Sequence, residues 1–403
     1  MESISQIGAE WADHWVTGDV HVHADGCTRP SDPTFDVIRG EMRNGHVQLV
    51  EVLRWGHEIF EILQSGRNFA RPTTDPPPGG GARIYEGFET SGIPAGTTGH
   101  LIGLDPVLDR STDHFFEERR STVLLADDLH AASPTTVFGL AHMSGFDLLT
   151  THYQDTGEPF ELPVHAARAC SRSSPWRGCP TTGGSLQPEA WALLMNVGVH
   201  VALTAGVDYP CWVQDLGSAR TLARVPDPGA LDHAQFLDAI RARRIAMVDR
   251  SDDRLEFDLG VPAAADTVAL PADGAARIHL RWRTTSAVRA RLWLNGVVLQ
   301  TVDLPAGSLS GELPVRLPAS GWIVITTAHT ISSATWVELE GHPFVPSLDA
   351  ACALALSTRL ITQMVRSGRR NLGTDTADAL LTYDAALEHF EALARQARPT
   401  GCM

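Results

Sequence analysis

Apolar and polar positions change rhythm twice along the chain. From about residue 15 to residue 248, short β-favouring apolar runs alternate with polar or amphipathic stretches, the pattern of repeated β/α units. This pattern predicts strands over 16–22, 47–53, 84–88, 101–104, 136–141, 163–169 and 199–205, and helices over 123–131, 188–197 and 232–243. In the last of these, Phe236, Leu237 and Ile240 recur at helical spacing behind Asp232, a residue type that caps helix starts. The run RPTTDPPPGGG over 71–81 is barred from helix and inner strand by its prolines, so a loop is expected there, over a site. From 254 to 339 the alternation shortens to period two, with turn signals such as Asn295-Gly296, which predicts a small antiparallel β-domain. After Pro346 the helical period returns, and Leu380, Tyr383, Leu387, Phe390 and Leu393 form one apolar stripe suited to packing. The expected division is 1–250, 251–345 and a C-terminal helical segment over 346–403.

Composition narrows the chemistry. The 403 residues are 43% hydrophobic and only 20% charged, enough for a core and more than one ordinary domain. A net charge of -16 disfavours a nucleic-acid partner, because binding phosphates needs concentrated positive charge. The chain contains no lysine, so all 32 basic residues are arginines. That removes a P-loop lysine, Schiff-base chemistry and a carboxylated lysine bridging two metals. The N-terminal stretch has acidic residues where a signal peptide is basic, and no apolar run is read as a membrane span, so a cytoplasmic location without a membrane partner is expected. In a reducing compartment Cys27, Cys170, Cys179, Cys211, Cys352 and Cys402, too far apart for CxxC metal knuckles, are expected to be free thiols.

The informative residues lie at strand ends. In Gly18-Asp19-Val20-His21-Val22-His23, strand alternation puts His21 and His23 on one face, where two imidazoles can share a metal. Glu89 in YEGFETSG, His100 in TTGHLIGL, His142 in FGLAHMSGF and Asp208 in LTAGVDYPC fall near later strand termini. Taken singly, each has an ordinary reading as a core histidine or a turn carboxylate. Their joint occurrence at strand ends of a β/α chain points to one site, since barrel active sites collect side chains there.

These segments, GDVHVHADG, the ETSG and GHLIG pair, AHMSG and TAGVDYPCW, resemble the polymerase and histidinol phosphatase (PHP) superfamily, and within it the branch named after carbaryl hydrolase. The resemblance runs from about 18 to 248 and into the following β-domain. It implies a distorted seven-stranded (β/α) barrel with divalent metal ions at its mouth, Zn, Mn or Fe. It assigns His21, His23, Glu89 and Asp208 to one metal and His100 and His142 to a second, with Glu89 bridging.

Departures from the family pattern matter as well. At positions where many relatives bind a third metal this chain has Arg29, His57 and Pro210; arginine does not ligate and proline has no side-chain donor, so at most two metals are expected, with one or both sites occupied. A dinuclear centre can hold a hydroxide and polarise a carbonyl or a phosphoryl oxygen; the resemblance, with the third site of the family's phosphate-ester enzymes missing, implies a carbonyl substrate, an amide, carbamate or ester of a small molecule. A phosphoesterase of the same fold and a non-catalytic, metal-stabilised binding protein are the competing readings. Arg29 is a candidate grip for an anionic substrate group, His57 a candidate proton shuttle and Tyr209 a candidate oxyanion donor. Cys211 as a ligand, and Arg67, Arg168 and Trp176 as substrate contacts, are weaker candidates. Homo-oligomerisation is left open.

Overall fold

The computed structural model describes residues 5–7, 14–24, 33–66, 69, 82–142, 160–169, 179–183, 189–211, 214–228, 231–249, 251–260, 267–398 and 402. The 71–81 loop, Arg29, Arg67 and Trp176 lie outside them. In chain order the first part runs β1 (Ser5–Ile7), β2 (Trp15–Val22), α1 (Phe35–Asn44), β3 (Leu49–Arg54), α2 (His57–Ser65), β4 (Arg83–Glu89), β5 (Leu101–Leu104), α3 (Asp113–Glu118), α4 (Thr122–Ala132), β6 (Val137–Leu140), α5 (Leu162–Ala169), β7 (Cys179–Gly183), α6 (Glu189–Met195), β8 (Thr204–Gly206), β9 (Ala219–Arg224), α7 (His233–Arg241) and β10 (Ile245–Asp249).

Strands β2 to β8 are neighbours in chain order, with β9 and β10 on the other side of β2. The β2–β3–β4 and β6–β7–β8 pairings are parallel, but β5 runs antiparallel to both β4 and β6. That reversal departs from the uniform β/α rhythm read in the sequence. It also explains why His100 precedes its strand while the other candidates stand late in or after theirs: the start of β5 lies beside the ends of β4 and β6. The expected closed seven-stranded barrel is not what the described residues form. The sheet is open, and β8 approaches β2 through an isolated parallel bridge, Val22↔Tyr209, with the His23 amide donating to the Tyr209 carbonyl at 2.7 Å.

Two further expectations are corrected. Residues 163–169, read as a strand, belong to helix α5, whose second residue is Pro163; proline suits a first helical turn, and so short an apolar run cannot be told from a strand by period. Of 199–205, the part that pairs as strand is Thr204 onward, because β8 spans only Thr204–Gly206. Helices α4 and α7 form as read, and Asp232 caps α7 by accepting from the Gln235 amide at 2.7 Å.

The second half continues through β11 (Arg254–Asp258), β12 (Thr267–Leu270), β13 (Ala275–Thr284), β14 (Val288–Leu294), β15 (Val297–Leu304), β16 (Gly307–Arg316), β17 (Gly321–Thr326), β18 (Thr330–Ile331) and β19 (Thr335–Leu339). One four-stranded sheet has the order β1-β16-β13-β11; the other strands extend the large sheet across the β10–β18 pairing. Pairing here is antiparallel except between β12 and β19. Alternate residues, among them Phe257, Leu280, Trp282, Leu292 and Ile325, fill the core of this part.

Helices α8 (Leu348–Arg366) and α9 (Thr376–Ala397) close the chain, and Tyr383 and Phe390 of the apolar stripe are fully buried. Helix α8 is long and apolar enough to cross a membrane, contrary to the reading of the sequence, and half of that stretch is buried inside the protein. The expectation of free thiols is also corrected. Cys352 at the start of α8 and Cys402 form a disulfide, their Cα atoms 5.5 Å apart, and Cys211 is disulfide-bonded as well.

One buried ion pair yields a test of the fold. His233, the first residue of α7, meets Glu51 of β3 at 2.5 Å and Asp105 at 3.6 Å, and its ring stacks on Tyr85 at 3.9 Å. Burial opposes its charge, but Glu51 and Asp105 outweigh that and raise its pKa from 6.5 to about 9. Because the folded value lies above the unfolded one, this stabilisation is complete below pH 6.5 and lost as pH rises through about 9. That rise in pKa corresponds to about 3 kcal/mol at most. The melting temperature should therefore fall between pH 7 and pH 10, and His233→Gln should flatten that slope. An unchanged slope in the variant would remove His233 as its source.

Candidate metal centre

The six strand-end candidates converge, and each is placed by its strand. His21 lies within β2 and His23 just past its end; Glu89 ends β4; His100 immediately precedes β5; His142 and Asp208 lie two residues beyond β6 and β8. Position 206 has to be glycine, because a Cβ there would stand 2.4 Å from the Cβ of His21, so β8 lies directly against β2. His142 and Asp208 both adopt left-handed backbone, with φ of 57° and 53°, which turns their side chains back toward the cluster.

Glu89 is the hub. Its Oε1 lies 3.3 Å from His21 Nε2, 2.9 Å from His100 Nδ1 and 3.5 Å from His142 Nε2, while Oε2 lies 3.2 Å from His23 Nε2. Asp208 Oδ1 lies 3.4 Å from His21 Nε2 and 3.1 Å from His23 Nε2. Among the described residues, two groups have ligand atoms close enough to surround a cation, His21, His23 and Asp208, and His21, Glu89 and His142, while His100, expected on the second metal, stands in neither. His21 thus stands in both groups.

The donor set fits divalent cations. His23 holds its Nδ1 against the Leu53 carbonyl at 2.9 Å, which fixes the tautomer and leaves Nε2 aimed at the carboxylates. Both ring nitrogens of His21 are buried without a hydrogen-bond partner, a cost that coordination of Nε2 would relieve. His142 Nε2 and His100 Nδ1 sit 3.1 Å apart, the crowding of nitrogens that share a small volume. Electrostatics agree. Burial works against a charge on His23, but hydrogen bonds to Asp208 and Glu89 prevail and lift its pKa to about 10. Burial would raise Glu89, yet the charges of His100 and His21 hold it well below the usual carboxylate range, and Asp208 is lowered against burial by His21 and His23. The proton held on His23 is thus part of the counter-charge of the carboxylates, and a bound cation would replace it.

The remaining candidates fare differently. Tyr209 is half-buried and fixed beside His23 through its carbonyl. His57 is exposed at the start of α2, and no hydrogen bond or ion pair among the described residues joins it to the cluster. Arg168 of α5 pairs with Asp127 of α4 at 2.6 Å, and Cys211, tied up in a disulfide, has no thiolate to offer. Asp19 was missed. It is fully buried, and its Oδ1 accepts from the His21 amide at 3.2 Å and the Val207 amide at 3.3 Å, tying β2 to the approach of Asp208. Its sequence signal was the same alternation that paired the histidines. Trp55, whose ring centre lies 6.2 Å from that of His23, was also missed and lacked any such signal.

No protein-family model and no curated protein matches the chain. Among solved structures, a two-domain protein containing predicted PHP-like metal-dependent phosphoesterase from Bacteroides vulgatus ATCC 8482 is 11% identical, covering 85% of this chain and 97% of its own, with a TM-score of 0.39. An engineered protein is 19% identical over 28% of this chain and 25% of its own, with a TM-score of 0.16. Scores at this level do not establish a common fold, so the chemistry rests on the site's own residues.

Proposed function

We propose that the protein is a metal-dependent hydrolase of the PHP superfamily, nearest the carbaryl hydrolase branch, that cleaves an amide, carbamate or ester bond of a small molecule. The observation that supports this reading is the convergence of four imidazoles and Asp208 on the buried carboxylate of Glu89. His21, His23 and Asp208 would hold one ion and His100 and His142 a second, with Glu89 shared. Bound ions of the Zn, Mn or Fe type supply Lewis acidity and a nucleophilic water at neutral pH. The chain's own residues do the rest. His100 and His142 are the partly exposed members, so substrate approaches from their side. Asp19 and the Leu53 carbonyl hold the backbone of His21 and the ring of His23, which keeps the donors aimed before any ligand arrives. Tyr209 is the candidate donor to the developing oxyanion, and Arg29 and His57 are candidates for gripping the substrate and moving a proton.

Protein purified without added metal should carry about two equivalents by elemental analysis and should hydrolyse nitrophenyl esters, carbamates or anilides, with chelation abolishing turnover. Preference for nitrophenyl phosphates would favour the phosphoesterase reading instead. Failure to bind metal even on reconstitution would overturn both.

A further inference from the structure

A second concave site lies where α6 leaves the outer face of the β14–β15–β17 ribbon. Strand β14 turns Ala290, Leu292 and Leu294 into the core, so Arg289, Arg291 and Trp293 stand on the opposite face. Across the ladder Trp293 faces Val324 and Val298, and Arg291 faces Thr326. Trp191 of α6 meets Trp322 edge to face, 5.2 Å between centroids, and completes a cleft of about 330 Å³ floored by Val324 and Ile331. That volume is in the range of small-molecule sites.

The polar atoms of this cleft are spoken for in an instructive way. The indole N–H groups of Trp191, Trp293 and Trp322 donate to the Val201 carbonyl, Thr326 Oγ1 and Asn196 Oδ1 at 3.1, 2.9 and 2.8 Å. The rings therefore offer carbon surface and no free donor. Arg289 is neutralised by Asp303 at 3.0 Å. Arg291, in contrast, is exposed, lines the cleft and has no ion-pair or hydrogen-bond partner among the described residues. An unpaired guanidinium at the mouth of a tryptophan-walled cleft matches one kind of ligand, with a flat apolar body and one carboxylate.

We propose that this cleft binds a small aromatic carboxylic acid, its ring against Trp293 and its carboxylate on Arg291. None of its residues belongs to the metal cluster, so the site stands or falls independently of the hydrolase reading. The probe is 1-naphthoate, titrated calorimetrically into the full-length protein as purified and again after chelation, with neutral 1-naphthamide as the matched control. One naphthoate should bind per chain in both preparations, roughly tenfold or more tightly than naphthamide, as expected for a charge-assisted pair. Arg291→Ala, at an exposed strand position, should bring naphthoate down to the level of naphthamide while leaving naphthamide unchanged, and Trp293→Ala should weaken both. The proposal fails if naphthoate does not bind or if Arg291→Ala leaves its affinity intact. It also fails if binding disappears on chelation, which would place the carboxylate at the metal centre. A dimer whose dissociation is needed before naphthoate enters would make a second copy of the chain the natural occupant and overturn it too.

Discussion

Glu89→Gln should leave a folded protein that binds less than one metal equivalent and turns over at least about 10³-fold more slowly than the parent. The factor equals the several kcal/mol that Lewis-acid stabilisation of transition-state charge supplies. The substitution keeps the size of the side chain and one oxygen but removes the charge shared among His21, His23, His100 and His142. Two cations would then face each other without the carboxylate that offsets their repulsion. His142→Ala touches one edge of the cluster and should chiefly lower occupancy of one position. Circular dichroism and elemental analysis on the same samples separate loss of metal from loss of fold. Parental stoichiometry and activity in Glu89→Gln would end the two-metal reading.

Glu161→Ala should lower stability by about 3–5 kcal/mol, the cost of leaving several buried donors without their acceptor together with the cavity left by the side chain. Glu161 is completely buried and accepts from Ser121 Oγ at 2.7 Å, Thr122 Oγ1 at 2.6 Å, the Val123 amide at 3.1 Å and the Tyr383 hydroxyl. Burial and the charge of Glu161 hold the Tyr383 phenol protonated, as a donor must be. The carboxylate thereby fastens α9 to the start of α4, and its removal leaves the Ser121 and Tyr383 hydroxyls and the Val123 amide without that acceptor, while Thr122 Oγ1 keeps His165 Nε2 at 3.1 Å. A melting temperature lower by roughly 10 °C is expected, and Tyr383→Phe, which removes one donor, should cost only about 1 kcal/mol. If Glu161→Ala melts within a degree of the parent, the C-terminal helices are held by their apolar contacts alone.

The contrast between these two carboxylates shows how far the sequence could be read. Glu89 was visible because its neighbours in space follow a local rule: alternation puts His21 and His23 on one face, and strand ends gather at one edge of a sheet. Glu161 had no such rule, since Tyr383 lies 222 positions away and nothing local links them. The same holds for Cys352 and Cys402, whose 50-residue separation carries no motif. Strand direction was illegible too: LIGL reads alike in either sense, so the reversal of β5 came only from its antiparallel pairing with both neighbours. Helix α5 was mistaken because an apolar run of eight residues with one proline is too short for its period to separate helix from strand.

The left-handed backbone at His142 and Asp208 has a consequence for how this protein can change. Histidine, aspartate and asparagine are among the few side chains that tolerate that conformation, whereas β-branched and longer residues strain it. On the proposed metal-centre reading, residue identity at these two corners would therefore be set twice, by the ligand atom and by the turn. Asp208→Glu keeps a carboxylate but opposes the turn, and Asp208→Asn keeps the turn but gives up the charge. Shape and charge can be dissociated only along the second route, so if the protein is the hydrolase proposed above, Asp208→Asn should fold like the parent but lose turnover, which would suit it to trapping an uncleaved substrate for identification.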